Sequence, residues 1–369
     1  MKRVIAHFWL PRPVRVAMPE TSMPVYIAAI FHNNDKVLPH WTQEMLRLVQ
    51  YIGTDNVFLS LVESYSTDNT PELLKSFGAT LTQMRVPHRI IINDTSILRP
   101  PKIVSNVARV DFLAATRNLA LEPLRSRRSF ARGRVLFSND VYVTAEAMVE
   151  LLNTRDGDYD IACGMDFDDF GLYDVWVTRD RVGGMVAGVW PFLLEPSGRR
   201  SIERNEPAQV FTCWNGIIAL RAEPFLPPAL RLDNSSSKLS EKPLHPALPS
   251  SHPGYQNGRT APPRNAPALQ FRASGWEECF SSESFLLGYD MRRQFALMQV
   301  YLNPRVVTAY HRRFFFWNNY VLRHWLVRWW MRNVEGGRNL HRARIVLSKV
   351  GARGVTLWDG GACQGTWET

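Results

Sequence analysis

Near its amino end the chain runs twice through the same cycle: an apolar stretch of strand length, a polar loop, then a segment with apolar residues at helical spacing. VYIAAIF (Val25 to Phe31) leads through HNNDKVLPH into WTQEMLRLVQYI, and NVFLSLVE (Asn56 to Glu63) leads through SYSTDNT into PELLKSFGA. Pro71 suits a first helical position and Gly78 a helix end. A chain that repeats strand, loop and helix builds parallel strands joined by right-handed crossovers, so an α/β fold is predicted. With 369 residues, 45% of them hydrophobic, there is material for one large domain of this class with additions. Neither strand is followed by GxGxxG or by GxxxxGK(S/T), which argues against a dinucleotide dehydrogenase and a P-loop NTPase.

The segment RVLFSNDVYV, Arg134 to Val143, carries strand-forming residues straight into Asn139 and Asp140. Ligands of open α/β sheets bind beyond the carboxyl ends of the strands, so an acid there points into the crevice. Mg²⁺ or Mn²⁺ bound to a diphosphate is held by one or two carboxylates plus phosphate oxygens, which makes Asp140 a candidate metal ligand. The competing reading is an Asx-type turn in which Asn139 and Asp140 cap the helix TAEAMVELL. A second acidic cluster follows the strand-like IACGM, with Asp166, Asp168 and Asp169 set among bulky residues. Acids in such company are drawn toward a cation or a basic partner that offsets their desolvation. Glu63 closes the second strand, where an acid commonly meets ribose hydroxyls; an acid held by Ser66 or Thr67 ahead of the helix is the alternative. The helix VDFLAATRNLALEPL positions Arg117, whose planar fork suits phosphate, although a salt bridge is the commoner role of such a residue.

IAAIFHNN, LVESYSTDNTPELL, FLAATRNLALEPL, VLFSNDVYV, MDFDDFGLYDVWVTRD, FTCWNGIIAL and SSESFLLGYD stand in this order between Val25 and Tyr310. In that order they resemble the cryptococcal mannosyltransferase and capsule-associated family of fungal glycosyltransferases, family 69. The resemblance implies a GT-A-like fold, a mostly parallel central sheet with helices on both faces. It implies a divalent metal, Mn²⁺ or Mg²⁺, GDP-mannose as donor, and retaining α-1,3-mannosyl transfer to a glycan acceptor. It also implies a Golgi or secretory-lumen location in association with a membrane. Asn139 and Asp140 stand where the DxD element of GT-A enzymes lies, with Tyr142 in place of a second acid, so Asp166 and Asp168 come into question as partners of Asp140. Glu63 and Arg117 are similar in position to nucleotide contacts, and Trp214, Asn215 and Gly216 to donor-sugar or acceptor contacts, with plain core as the alternative for Trp214. Glu283 resembles an acid facing the acceptor, against a capping-box acid of its own helix, and His311 a third metal ligand, against simple exposure.

Net charge is +10, with much of the excess in the last third, and RRFFFWNNYVLRHWLVRWWMRN (312–333) mixes Arg with Trp and Phe. No RNP, zinc-finger or helix-turn-helix pattern accompanies it, so an interfacial, membrane-surface segment is expected there rather than a nucleic-acid site. The four cysteines show no metal spacing; Cys163 and Cys213 fall near the expected site and either pair or stay as buried thiols. No run of about 18 apolar residues crosses a bilayer, and the apolar start of MKRVIAHFWLPRPVRV ends at Pro11. The expected division is an extension (1–23), a core (24–232), a Ser/Pro-rich insertion (233–270), completion of the core (271–311) and a basic aromatic region (312–369). Two other functions share these features: a noncatalytic glycan-binding or polysaccharide-assembly protein, and a metal-dependent phosphotransferase or nucleotidyltransferase.

Overall fold

The computed structural model describes residues 23–100, 106–168, 171–232, 266–275 and 280–335, together with 255–256, 259–260, 338 and 342. β1 (Val25–Phe31), α1 (Leu38–Ile52), β2 (Val57–Glu63), α2 (Thr70–Gln83) and β3 (His88–Ile91) realise the two opening cycles, with β1, β2 and β3 parallel. Pro71 lies in the first turn of α2 as expected. Gly78 does not end that helix but sits inside it, where a Cβ would come within 3.2 Å of Ile90 Cδ1 on β3. The helix packs closely on β3 there, so the glycine serves tight packing rather than a helix stop.

Next come α3 (Asn106–Leu121), β4 (Arg134–Ser138), α4 (Ala145–Leu152), β5 (Ile161–Asp168), β6 (Gly171–Leu172) and β7 (Arg179–Asp180). They are followed by α5 (Pro196–Arg204), β8 (Ala208–Thr212), β9 (Ile217–Arg221) and the small hairpin β10 (Tyr255–Gln256) with β11 (Arg259–Thr260). The last described elements are α6 (Glu283–Phe295), β12 (Val300–Ala309), α7 (Arg312–Phe316) and α8 (Trp325–Asn333). One ten-stranded sheet has the order β3-β2-β1-β4-β9-β5-β12-β8-β7, with β6 on β5. Only β6, β8 and β9 run against the rest, so the sheet is mixed and mostly parallel.

Alternation along β1 splits the core into two layers. Val25, Ile27, Ala29 and Phe31 join Leu38, Trp41 and Met45 of α1, Leu74 and Phe77 of α2 and Met148 of α4. Tyr26 and Ala28 join Ala114 and Leu121 of α3 and Phe285, Leu286 and Tyr289 of α6. Helices therefore cover both faces, the GT-A-like α/β arrangement expected. Pro304 falls inside β12, where the register against β5 shifts between Leu302 and Val307, a bulge being the place a strand accepts a residue without an N–H.

Most of the expected insertion lies outside the described residues, but its last part belongs to the folded body. Arg231 donates from Nη1 to Ala266 O at 2.8 Å and from Nη2 to Pro267 O at 3.2 Å, and Leu269 is buried. Cys163 of β5 and Cys213, just past β8, form a disulfide with a Cα separation of 6.1 Å, settling the alternatives left open for that pair.

Candidate functional site

The chain leaves β1 to build β2 and β3 on one side, then returns to place β4 on the other, so β1 and β4 border the topological switch point of the parallel half. Such a switch opens a crevice at the carboxyl ends of the two strands. Asn34, on the loop after β1, donates from Nδ2 to Asp140 Oδ2 at 2.7 Å across it. Asn34 is itself held by its backbone N–H, which donates to Thr70 Oγ1 at 2.7 Å. Asp140 is half-buried and makes no ion pair with a described residue; burial pushes its carboxyl above the usual range. The Asx-cap alternative does not hold, because Thr144 Oγ1 accepts from Ala147 N at 3.2 Å and caps α4. Asn139 bridges two strands: its Nδ2 donates to the Tyr310 hydroxyl at 3.0 Å and its Oδ1 accepts from Trp214 Nε1 at 3.1 Å.

Because β9 runs against its neighbours, its amino end lies at their carboxyl ends, and this brings Trp214, Asn215 and Gly216 to the site. Trp214 is 2% exposed with the Arg117 guanidinium 4.4 Å from its ring centroid, so its face is occupied by a cation rather than open to a sugar. Asn215 is fully buried in the left-handed region (φ 53°); its Oδ1 accepts from Thr178 Oγ1 at 2.8 Å, while its Nδ2 has no partner among the described residues. Gly216 has φ +75°, and a Cβ there would fall 2.5 Å from Thr308 Oγ1 and 3.1 Å from the Asp166 Cβ. Its close approach is to β5 and β12.

Asp166 is buried near the end of β5, and its Oδ1 accepts from Asp174 N at 3.3 Å. The Asp174 carboxylate accepts from Asn215 N at 3.2 Å and Val177 N at 3.3 Å. Burial and the charge of Asp174 hold the Asp166 carboxyl well above the ordinary range; burial pushes Asp174 up to about 6. With the half-buried Asp174 beside it, the fully buried Asp166 is disfavoured as a carboxylate. Tyr310, just past β12, is driven above its usual range by burial and then by Asp166, Asp140 and Asp174. Sequence reasoning passed over Asp174, Tyr310 and Asn34; an Asn or Tyr carries no signal by type, and Asp174 was one acid among several.

Arg117 and Glu283, assigned from the sequence to the nucleotide and acceptor sides, meet in a buried ion pair at 2.5 Å, with Arg117 also donating to Ser284 Oγ. The α6 cap is Ser282, whose Oγ accepts from Phe285 N at 3.2 Å, so Glu283 is not a capping-box acid. Glu63 is fully buried, and its oxygens accept from Ser66 N at 2.9 Å and Asn93 N at 2.7 Å, the loop-holding role weighed against ribose contact. Asp168 pairs with Gly171 in the β5–β6 turn, and Asp169 lies outside the described residues.

His311 stands exposed at the head of α7, its ring 5.9 Å from that of Phe314; the histidine whose charge acts on Asp140 is His32. Among the described residues no three His, Cys, Asp or Glu side chains converge to hold a metal, and His311 is exposed. β12 hands straight into α7, which turns His311 outward. What does fit a hard divalent cation is Asp140, half-buried and hydrogen-bonded by the neutral amide of Asn34, with substrate phosphate oxygens completing the shell.

Residues 24–290 match the family model described as Cryptococcal mannosyltransferase 1. The chain is 27% identical over 221 residues to Alpha-1,3-mannosyltransferase CMT1 of Cryptococcus neoformans, a match covering 52% of this chain and 45% of the relative, so it spans about half the length of that curated relative. Among solved structures, the mannosyltransferase PcManGT of Pyrobaculum calidifontis, in complex with GDP-Man and Mn²⁺, aligns with TM-score 0.40 and 13% identity over 91% of this chain and 68% of that one. S. aureus TarS 1-349 aligns with TM-score 0.39 and 13% identity over 86% of this chain and 68% of that one. With its family model spanning most of its length, the chain belongs to the Cryptococcal mannosyltransferase 1 family.

Proposed function

We propose, taking membership of that family as the premise, that the chain is a metal-dependent glycosyltransferase that moves mannose from GDP-mannose to a glycan hydroxyl with retention, forming an α-1,3 linkage. The observation that carries the reading is Asp140, set at the β1/β4 switch point and steadied by Asn34 at 2.7 Å. It is the residue that would hold Mn²⁺ or Mg²⁺ together with the diphosphate. When bound, such a cation supplies neutralisation of charge developing on the leaving phosphate oxygen.

The chain's own residues account for the remaining tasks. Asn34 orients the carboxylate, and Asn139 ties the strand end to Tyr310 and Trp214. The acceptor hydroxyl must lose a proton as its oxygen bonds the anomeric carbon, and the Asp166–Asp174 pair, with Asp174 near 6, is matched to hold such a proton close to neutral pH. The disulfide between Cys163 and Cys213 supports residence in an oxidising compartment such as the secretory lumen.

The test is GDP release and mannosyl transfer by the purified chain with Mn²⁺ or with EDTA, for native protein and Asp140→Asn. Turnover should require the metal and fall at least about a hundredfold in the variant, the loss expected when several kcal/mol of charge stabilisation goes. Full activity in EDTA, or an unimpaired variant, would overturn the reading.

A further inference from the structure

The last described helices present their side chains in an unusual sense. Along α8 the outward positions are Trp325, Leu326, Trp329 and Trp330, each at least half exposed, while Arg328 turns inward and donates to Asn205 Oδ1 at 3.2 Å. Arg323, on the turn before α8, likewise reaches back to Pro304 O at 2.7 Å. Phe316 and Trp317 are exposed as well, whereas Phe314 and Phe315 are buried. Seven of the thirteen large hydrophobic side chains exposed among the described residues fall between Phe316 and Val334. A helix that only had to cover the body would turn these indoles in and its arginines out.

The charge is as one-sided as the apolar surface. From Arg312 to Val334 the sequence holds five arginines and no Asp or Glu, and Arg312 and Arg313 stand exposed beside the aromatic residues. Indole rings favour the level where lipid headgroups meet acyl chains, and arginines beside them favour anionic headgroups. At nine residues α8 is far too short to span a bilayer, and no described helix is long and apolar enough to do so. A helix of this kind lies in the interface plane.

We propose that the surface formed by α7, α8 and the turn between them docks the protein on an anionic lipid bilayer, with Trp325, Leu326, Trp329 and Trp330 inserted at headgroup level. α7 follows β12 and Tyr310 directly, and the Phe315 ring lies 6.3 Å from that of Tyr142, two residues beyond Asp140. The buried side of α7 thus packs against the strand end that carries Asp140. The surface is independent of the sugar-transfer reading and is tested without reference to activity.

The experiment is co-sedimentation of the full chain with phosphatidylcholine vesicles, with and without phosphatidylserine. Binding should be about tenfold or more stronger with phosphatidylserine present, and should weaken as salt is raised. A Trp325→Ser, Trp329→Ser, Trp330→Ser variant should lose binding to both vesicle types at an unchanged melting temperature, because the three side chains are exposed. Arg312→Gln with Arg313→Gln should remove only the preference for phosphatidylserine. The proposal is overturned if neither vesicle type is bound or if the Trp variant binds as the parent does. It is equally overturned if the Trp face proves to be covered by a second copy or by the chain's own remaining residues, detected as an oligomer or as indoles shielded from a quencher without vesicles. Displacement of the chain from vesicles by single-stranded polyuridylate would assign the face to nucleic acid instead.

Discussion

Asp166 and Asp174 both have raised carboxyls, and their effect on stability has a definite sign. Asp174 is lifted from an ordinary 3.8 to about 6 in the folded chain, so the native state holds a proton that the unfolded state has released. Its contribution to stability is full below about pH 4 and is lost as pH rises through about 6, a change on the order of 3 kcal/mol that the pair shares. Asp174→Asn should flatten that part of the profile. Denaturant titrations below about pH 4 and above about pH 7 should show the variant gaining on the native chain at the higher pH, and parallel profiles would refute the assignment. Glu283 makes a different prediction. Its ion pair with Arg117 is buried on both sides, so Glu283→Gln leaves the guanidinium poorly compensated and should cost about 3 kcal/mol in equilibrium unfolding. A loss under about 1 kcal/mol accompanied by a fall in kcat would instead return Glu283 to the acceptor-facing role that its sequence context suggests.

Individual elements were readable to differing degrees. β1 and β2 are nearly continuous apolar runs because both faces of a parallel strand are covered, and their limits match the sequence expectation to within a residue. Pro71 was readable as a helix start, since its ring only fits where no N–H is needed; Gly78 was not readable as an interior residue, since what packs against it is Ile90 on another strand. The same limit applied to the cysteines. Cys163 and Cys213 are separated by 50 residues, and only sheet order puts β5 and the end of β8 where a disulfide reaches. That bond clamps the strand carrying Asp166 to the turn carrying Trp214, Asn215 and Gly216. Replacing both cysteines with alanine should lower stability by about 4 kcal/mol, the loop-closure value for a ring of this length. The denaturant midpoint of the variant and of the reduced native chain should agree, and an unchanged midpoint would show that the clamp contributes nothing.

At the level of the whole molecule, strand ends contributed by segments far apart in sequence close one crevice, so a ligand bound there should stabilise the entire fold. If GDP-mannose with Mn²⁺ occupies the crevice, a hundredfold excess over Kd should add about 2.7 kcal/mol, and Asp140→Asn should abolish that gain. A thermal shift that survives in the variant would move the donor elsewhere. The alternation of strand, loop and helix was readable in one dimension, because hydrophobic periodicity is a local property and the sheet needs only that. So was the acid at the end of β4, and so was the order of motifs that marks the family. The partners were not. Asn34 meets Asp140 across 106 residues and Arg117 meets Glu283 across 166, while His311, assigned to the metal by the family resemblance, is exposed at the head of α7. Which polar groups meet depends on strand order, on the one reversed strand that delivers Asn215, and on the burial that forces each charge to find a partner. These are properties of the closed sheet, and no stretch of the chain carries them alone.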